Sequence, residues 1–331
     1  MKKIALLLFI FTSTTALFAQ FTTGNIAVLR VGDSIGTLAN TGNPLVIEQY
    51  TLAGTFVNMN FLPRTGANAV TLSSTATSEG MLKLSSNSSL LTLFAYRVAP
   101  PHTASLAGTT SAAINRAVVA VNAGGNVTIP ATTSVFYSAN NPRSAVSNGT
   151  GFWTVGGNSG VSYGTTTLDS ISSNRTNLRV IDIYAGNLFA STAAGGVFGL
   201  LRIGTALPTS THAPSSVYLS TVGSGSGNPS PYDFAFNPDT TICYIADDRS
   251  AANGGGIQKW TRTGSTWSLA YTLSTGTVGA RGLAVNWNAP QPIVIATTAE
   301  TSANRVIRII DSNATAVAST IVTAATNTIY R

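Results

Sequence analysis

Apolar residues in this chain fall in short runs, and Gly, Pro, Asn or Ser clusters stop each run before two helical turns are complete. Helices need longer amphipathic periods, so the pattern predicts strands joined by polar turns. Residues 25–33 (NIAVLRVGD), 45–50 (LVIEQY) and 55–62 (TFVNMNFL) form an opening three-strand meander, with turn chemistry at 42–44 (GNP) and 53–54 (AG). Four-strand units follow. The first places strands at Met81–Leu82, 90–96, 116–121 and 127–129; the others begin near Arg143, Leu178, Tyr232 and Arg281. Their leading residues, starting from Glu79, are spaced by roughly 35 to 65 positions, which brackets the period of four-stranded propeller blades.

One such sheet cannot bury both faces, but sheets stacked around an axis can. Five full units and the opening meander predict an all-β, six-bladed β-propeller of four-stranded antiparallel blades. The last residues, 326–331 (TNTIYR), align with 278–281 (VGAR), which lead into a Gly-Leu-Ala-Val strand. They are expected to pair with the N-terminal strands and close the ring without an exposed edge. The alignment stops at the first residues of that strand, so the domain, 20–331, is expected to be incomplete at its C-terminus.

Residues 1–19 read as an export signal: Lys2 and Lys3, an apolar stretch at 4–11, and a cleavage region at 16–20 (ALFAQ). That apolar stretch is too short to span a bilayer, and no later segment is long enough, so a secreted, periplasmic or cell-surface bacterial protein with no transmembrane segment is expected. Composition agrees: 44% hydrophobic and 9% charged residues exclude disorder and argue against solvated helices. The formal charge of +7 falls to about +5 without Lys2 and Lys3, and its arginines are scattered singly, so nucleic acid is not an expected partner. The single cysteine, Cys243, lies in an apolar strand and reads as a small buried hydrophobe.

Residues 231–248 (PYDFAFNPDTTICYIADD), followed by 254–260 (GGGIQKW), resemble the blade pattern of the gluconolactonase, strictosidine-synthase and NHL-repeat propellers. Together with NIAVLRVGD, TSEGMLKLS, RSAVS, NLRVIDIYAGNLFAS and RGLAV, they more closely resemble a family of exported bacterial six-bladed propellers of unassigned activity. That resemblance implies the fold and export and brings no catalytic residues with it.

Candidate chemistry gathers at the starts of the innermost strands, where Glu79, Arg143, Arg179, Asp233, Arg281 and Arg331 could converge at one channel mouth. Two readings follow. In one, the ring is a ligand site in which arginines grip a carboxylate, sulfate or sugar oxygen of a polar small molecule, glycan or surface protein. In the other, it is a set of ion pairs and hydrogen bonds satisfying the channel. The gluconolactonase resemblance implies a third, a lactonase- or esterase-like hydrolase holding Ca²⁺ through Glu79 and Asp233. Against it, Arg143 and Arg281 stand where a cation would be repelled.

Other catalytic patterns are missing: His102 and His212 lie in loops, and there is no zinc spacing or P-loop. Asp247 and Asp248 read as turn residues. Trp153, Trp260 and Trp267 read as core, and Trp287 as an exposed stacking platform. The expectation is a monomeric, non-enzymatic binding propeller without a cofactor.

Overall fold

The computed structural model describes residues 21–211 and 213–331; the expected signal at 1–19 and His212 lie outside the described residues. Among the described residues, 24 strands form six four-stranded antiparallel sheets, each a blade. Blade 1 holds β1 (Ile26–Val31), β2 (Leu45–Tyr50), β3 (Phe56–Phe61) and, innermost, β24 (Ile329–Tyr330). Blade 2 runs outward through β4 (Lys83–Leu84), β5 (Leu90–Tyr96), β6 (Arg116–Asn122) and β7 (Val127–Thr133). Blade 3 has β8 (Pro142–Ser147), β9 (Phe152–Gly156), β10 (Val161–Gly164) and β11 (Asp169–Ser172). Blade 4 has β12 (Leu178–Tyr184), β13 (Asn187–Ala194), β14 (Val197–Ile203) and β15 (Ser215–Ser220). Blade 5 is β16 (Pro231–Phe236), β17 (Ile242–Asp247), β18 (Gly256–Thr263) and β19 (Thr266–Leu273). Blade 6 is β20 (Ala280–Asn286), β21 (Ile293–Thr298), β22 (Arg305–Ile310) and β23 (Ser319–Thr323).

The core is divided among the blade interfaces. In β17, Cys243 and Ile245 face blade 4 with Phe189 and Leu200, while Tyr244 and Ala246 face blade 6 with Val294 and Ile307. Strand alternation thus sends neighbouring residues into opposite interfaces, which is why these strands are apolar almost throughout. Each such large side chain removed from water contributes about 1.5–3 kcal/mol. Cys243 is fully buried, as its apolar strand implies.

Ring closure is built by β24. Tyr330 pairs with Arg30 of β1, and its backbone is clamped by the Asn304 side chain of blade 6 (2.9 Å in both directions). The Tyr330 hydroxyl donates to Glu48 (2.8 Å), which also holds Arg30 (2.6 Å).

Two local expectations are corrected. Blade 2 begins its ladder at Lys83–Leu84, not at Met81–Leu82; Gly80 adopts φ +86° and turns Met81 toward a parallel bridge with Ser144 of β8. β7 continues through Pro130 to Thr133, because an outermost strand can spare one N–H. The 98–115 loop is tied down through His102 N–H to Thr41 O (2.7 Å) and by Leu106 buried between blades 1 and 2. Among the described residues no helix is long and apolar enough to cross a membrane.

Candidate anion site at the channel mouth

Arg143, Arg179, Tyr232 and Arg281 are each the second residue of their innermost strand. At that point β8, β12, β16 and β20 all break register with the next strand outward. Such a bulge bends the strand and re-aims its side chains. Arg331 follows β24 directly. In blade 2 the neighbouring position is Gly80, where a Cβ would stand 2.9 Å from Arg331 Cγ. Glycine there serves both its left-handed φ and the passage of the Arg331 side chain. Gly80→Ala is expected to destabilise the fold by about 1–3 kcal/mol, read as a lower urea midpoint at unchanged slope.

Two of the guanidinium groups lie against one aromatic ring. Arg179 lies 4.1 Å and Arg281 5.8 Å from the Tyr232 ring centre, and the Tyr232 hydroxyl shares a hydrogen bond with Thr77 Oγ1 (3.2 Å). Most of the arginines also reach forward to the next blade. Arg143 donates to Leu178 O (3.0 Å) and Asn177 Oδ1 (2.7 Å), Arg179 to Pro231 O (3.1 Å) and Ser230 Oγ (2.9 Å), and Arg331 to Ser74 O (2.9 Å). Arg281 instead pairs back with Asp248 (3.1 Å).

These contacts stitch the ring together and leave charge over. Among the described residues Arg143, Arg179 and Arg331 have no carboxylate within ion-pair distance, and the Nε atoms of Arg143 and Arg331 are buried without a hydrogen-bond partner. Burial, and then the neighbouring Arg179 charge, draw the Arg143 guanidinium down to about 10; burial and Arg281 do the same to Arg331. The group is crowded with like charge, which an anion would relieve. Arg143 and Arg179 remain partly exposed, so solvent reaches the cluster.

Glu79 stands beside this ring, fully buried. Its carboxylate accepts from Ser73 N–H (2.8 Å), Tyr96 OH (2.8 Å) and Asn141 Nδ2 (2.6 Å). Burial outweighs these donors and raises its pKa to about 7.

Asp233 does not join Glu79. It belongs to a second layer that sequence reasoning missed, centred on Lys83, whose Nζ donates to Asp233 (2.8 Å) and Asp182 (2.8 Å). Asp233 also accepts from the backbone N–H groups of Phe234 (2.8 Å) and Leu283 (3.0 Å). The residue of blade 5 that takes the ring position is Tyr232, one place earlier. A signal existed: Lys83 lies three positions after Gly80 and Asp182 three after Arg179, the same step along two inner strands.

A divalent cation does not fit Glu79 and Asp233. Both carboxylates are saturated by N–H and O–H donors, and Asp233 already neutralises a lysine. Among the described residues no three His, Cys, Asp or Glu side chains are grouped to hold a metal. Asp247 is not a turn residue: it ends β17, fully buried and paired with Arg249, while Asp248 just beyond the strand pairs with Arg281. Trp153 and Trp260 are buried, and Trp267 packs on Phe236 and Tyr218. Trp287 is not an exposed platform: it stacks on Tyr244 with ring centres 5.3 Å apart, in the interface between blades 5 and 6.

No protein-family model matches the chain, and no curated protein sequence does. Solved structures do. A chain of the nidogen/laminin complex superposes with a TM-score of 0.56 at 11% identity, covering 93% of this chain and 96% of that one. A candidate 6-phosphogluconolactonase of Bacteroides fragilis gives 0.50 at 13% identity, over 93% and 82%. The periplasmic gluconolactonase of Pseudomonas aeruginosa gives 0.47 at 12% identity, over 90% and 83%. At such identities the likeness speaks to the fold alone. The chain is a six-bladed β-propeller, similar in fold to a chain of the nidogen/laminin complex and to a candidate 6-phosphogluconolactonase.

Proposed function

We propose that this protein is an exported binding module that takes an anionic ligand, a carboxylate or sulfate group of a small molecule or glycan, at the mouth of its channel. One observation carries the reading: Arg143, Arg179 and Arg331 converge beside Tyr232 with no carboxylate paired to them. Guanidinium groups already held by backbone carbonyls are pre-organised, so little side-chain entropy is lost when an anion is gripped. Tyr232 is buried with the Arg179 guanidinium over its ring, so it positions the arginines and does not itself meet the ligand. Export rests on the signal-like residues 1–19, with Lys2 and Lys3 before an apolar stretch.

The hydrolase alternative needs a channel cation, and nothing in the donor sets of Glu79 and Asp233 favours it. Calorimetric titration with sodium sulfate and with D-glucuronate tests the proposal. Binding by the wild type is expected, with affinity lowered about tenfold or more in Arg143→Gln/Arg179→Gln. Unchanged affinity in that variant would remove the site from the ring.

A further inference from the structure

We infer that β3, the outermost strand of blade 1, is the interface of a two-fold dimer in which two copies of this chain pair antiparallel along their β3 edges. β3 (FVNMNF) leaves Phe56, Met59 and Phe61 exposed by 48%, 41% and 51%, and no other phenylalanine among the described residues is so exposed. The strand carries no charge and no proline. Outermost strands are ordinarily blunted by such residues or kept short. Here β7 carries Pro130, and β11 is four residues long and begins at an exposed Asp169.

Hydrogen bonds fix which groups of β3 face outward. Leu62 N–H donates to Leu45 O (3.0 Å), so Leu62 turns toward β2 and Phe61 turns away from it. Thr51 N–H donates to Thr55 O (2.9 Å), so Thr55 turns inward and Phe56 outward. A regular strand could not turn both phenylalanines outward, because their numbers differ in parity. A bulge reconciles them: Gln49 pairs with Asn58 and Tyr50 with Phe56, which leaves Val57 as the extra residue. Phe56, Met59 and Phe61 therefore share one face and one edge. Among the described residues nothing bonds to their outward N–H and C=O groups.

The same bulge makes the edge palindromic. Counted in ladder steps, its outward positions read Phe, Met, Phe in either direction. A second β3 running antiparallel, with the two-fold axis at Met59, sets Met59 against its own copy and Phe56 against Phe61 at both ends. Each of these pairs exchanges both of its backbone bonds, and the apolar side chains meet on one face as cross-strand neighbours. Tyr50 packs edge-on against Phe56 (5.7 Å) and Arg64 lies over Phe61 (4.8 Å), so both rings are held before the partner arrives. This self-match singles out a second copy of the chain as the occupant, in place of the monomer expected from the sequence. β3 lies on the outer rim, so the dimer does not depend on what the arginine ring binds.

Sedimentation equilibrium of the purified protein should show a dimer with a Kd on the order of 10 μM, in keeping with a small edge interface. Met59→Lys places like charges on the axis and should weaken it about tenfold or more. Met59 is exposed, so the fold should tolerate the change. Facing residues of a hydrogen-bonded antiparallel pair have Cα atoms about 5.5 Å apart, within reach of a disulfide. Met59→Cys should thus give a disulfide-linked dimer with oxidised glutathione, whereas Val217→Cys, 52% exposed on β15, should not; Cys243 is buried in both. A wild type still monomeric at about 200 μM would overturn the inference. So would a dimer that survives Met59→Lys, or cross-linking equal at the two cysteines.

Discussion

Replacing Lys83 with Met is expected to destabilise the protein by about 3–5 kcal/mol, the cost of stranding buried carboxylates without their cation. Lys83 is held between Asp182 and Asp233 at 2.8 Å each, and all three side chains are nearly excluded from solvent. Burial alone would discharge the lysine, yet the two aspartates hold its pKa above the ordinary value. Burial raises Asp233 in turn, against the lowering pull of Lys83. Each charge is tolerable only because of the others. Urea denaturation should show the loss in the midpoint with an unchanged slope. Lys83→Met/Asp182→Asn should recover at least half of it, and this pair keeps the test open if the single variant does not fold. A loss below about 1 kcal/mol would mean that water, not Lys83, neutralises this layer.

The second large effect concerns pH. Glu79 moves from an ordinary 4.5 to about 7 on folding because it is buried. Between those values the folded protein carries a proton that the unfolded chain does not, so unfolding releases one and stability falls as pH rises. Its favourable contribution is complete below pH 4.5 and is lost as pH passes through about 7. The shift corresponds to roughly 3 kcal/mol. Asp33 and Glu300 have lowered values and slope the opposite way at lower pH, so the quantity to measure is wild type minus Glu79→Gln. That difference should change by a few kcal/mol between pH 4.5 and 8. A flat difference would contradict the assignment.

Much of the architecture is legible before any coordinates, for a physical reason. Strands buried on both faces give short, nearly continuous apolar runs, and tight turns demand Gly, Asn and Pro, so the blade period is written locally. The closing role of 326–331 follows from the same local match to 278–281. Leading arginines are legible as well, because each sits at a fixed place relative to its strand.

What the sequence hides is long-range or geometric. Lys83 meets Asp182 and Asp233 across widely separated segments; the shared three-residue step places Lys83 and Asp182 at equivalent points of their strands, but Asp233 stands one place after Tyr232 and has no such mark. The bulge in β16 decides whether Tyr232 or Asp233 takes the ring position, and a bulge has no firm sequence mark. Trp287 looks exposed beside its Asn neighbours, but Tyr244 of the adjacent blade covers it. Local Glu, Asp and Arg positions were therefore readable, while their partners were not.

The central claim is that the arginines at the channel mouth form one anion site. Side-chain ¹⁵N spectra of the guanidinium Nε–H groups test it most directly, during titration with sulfate. Arg143, Arg179 and Arg331 should shift together along one binding curve. Arg116 and Arg202, whose Nε atoms are also buried and unpartnered but lie in strands away from the innermost ones, should stay still. Shifts spread evenly over all the arginines, or none at Arg143 and Arg179, would contradict the account.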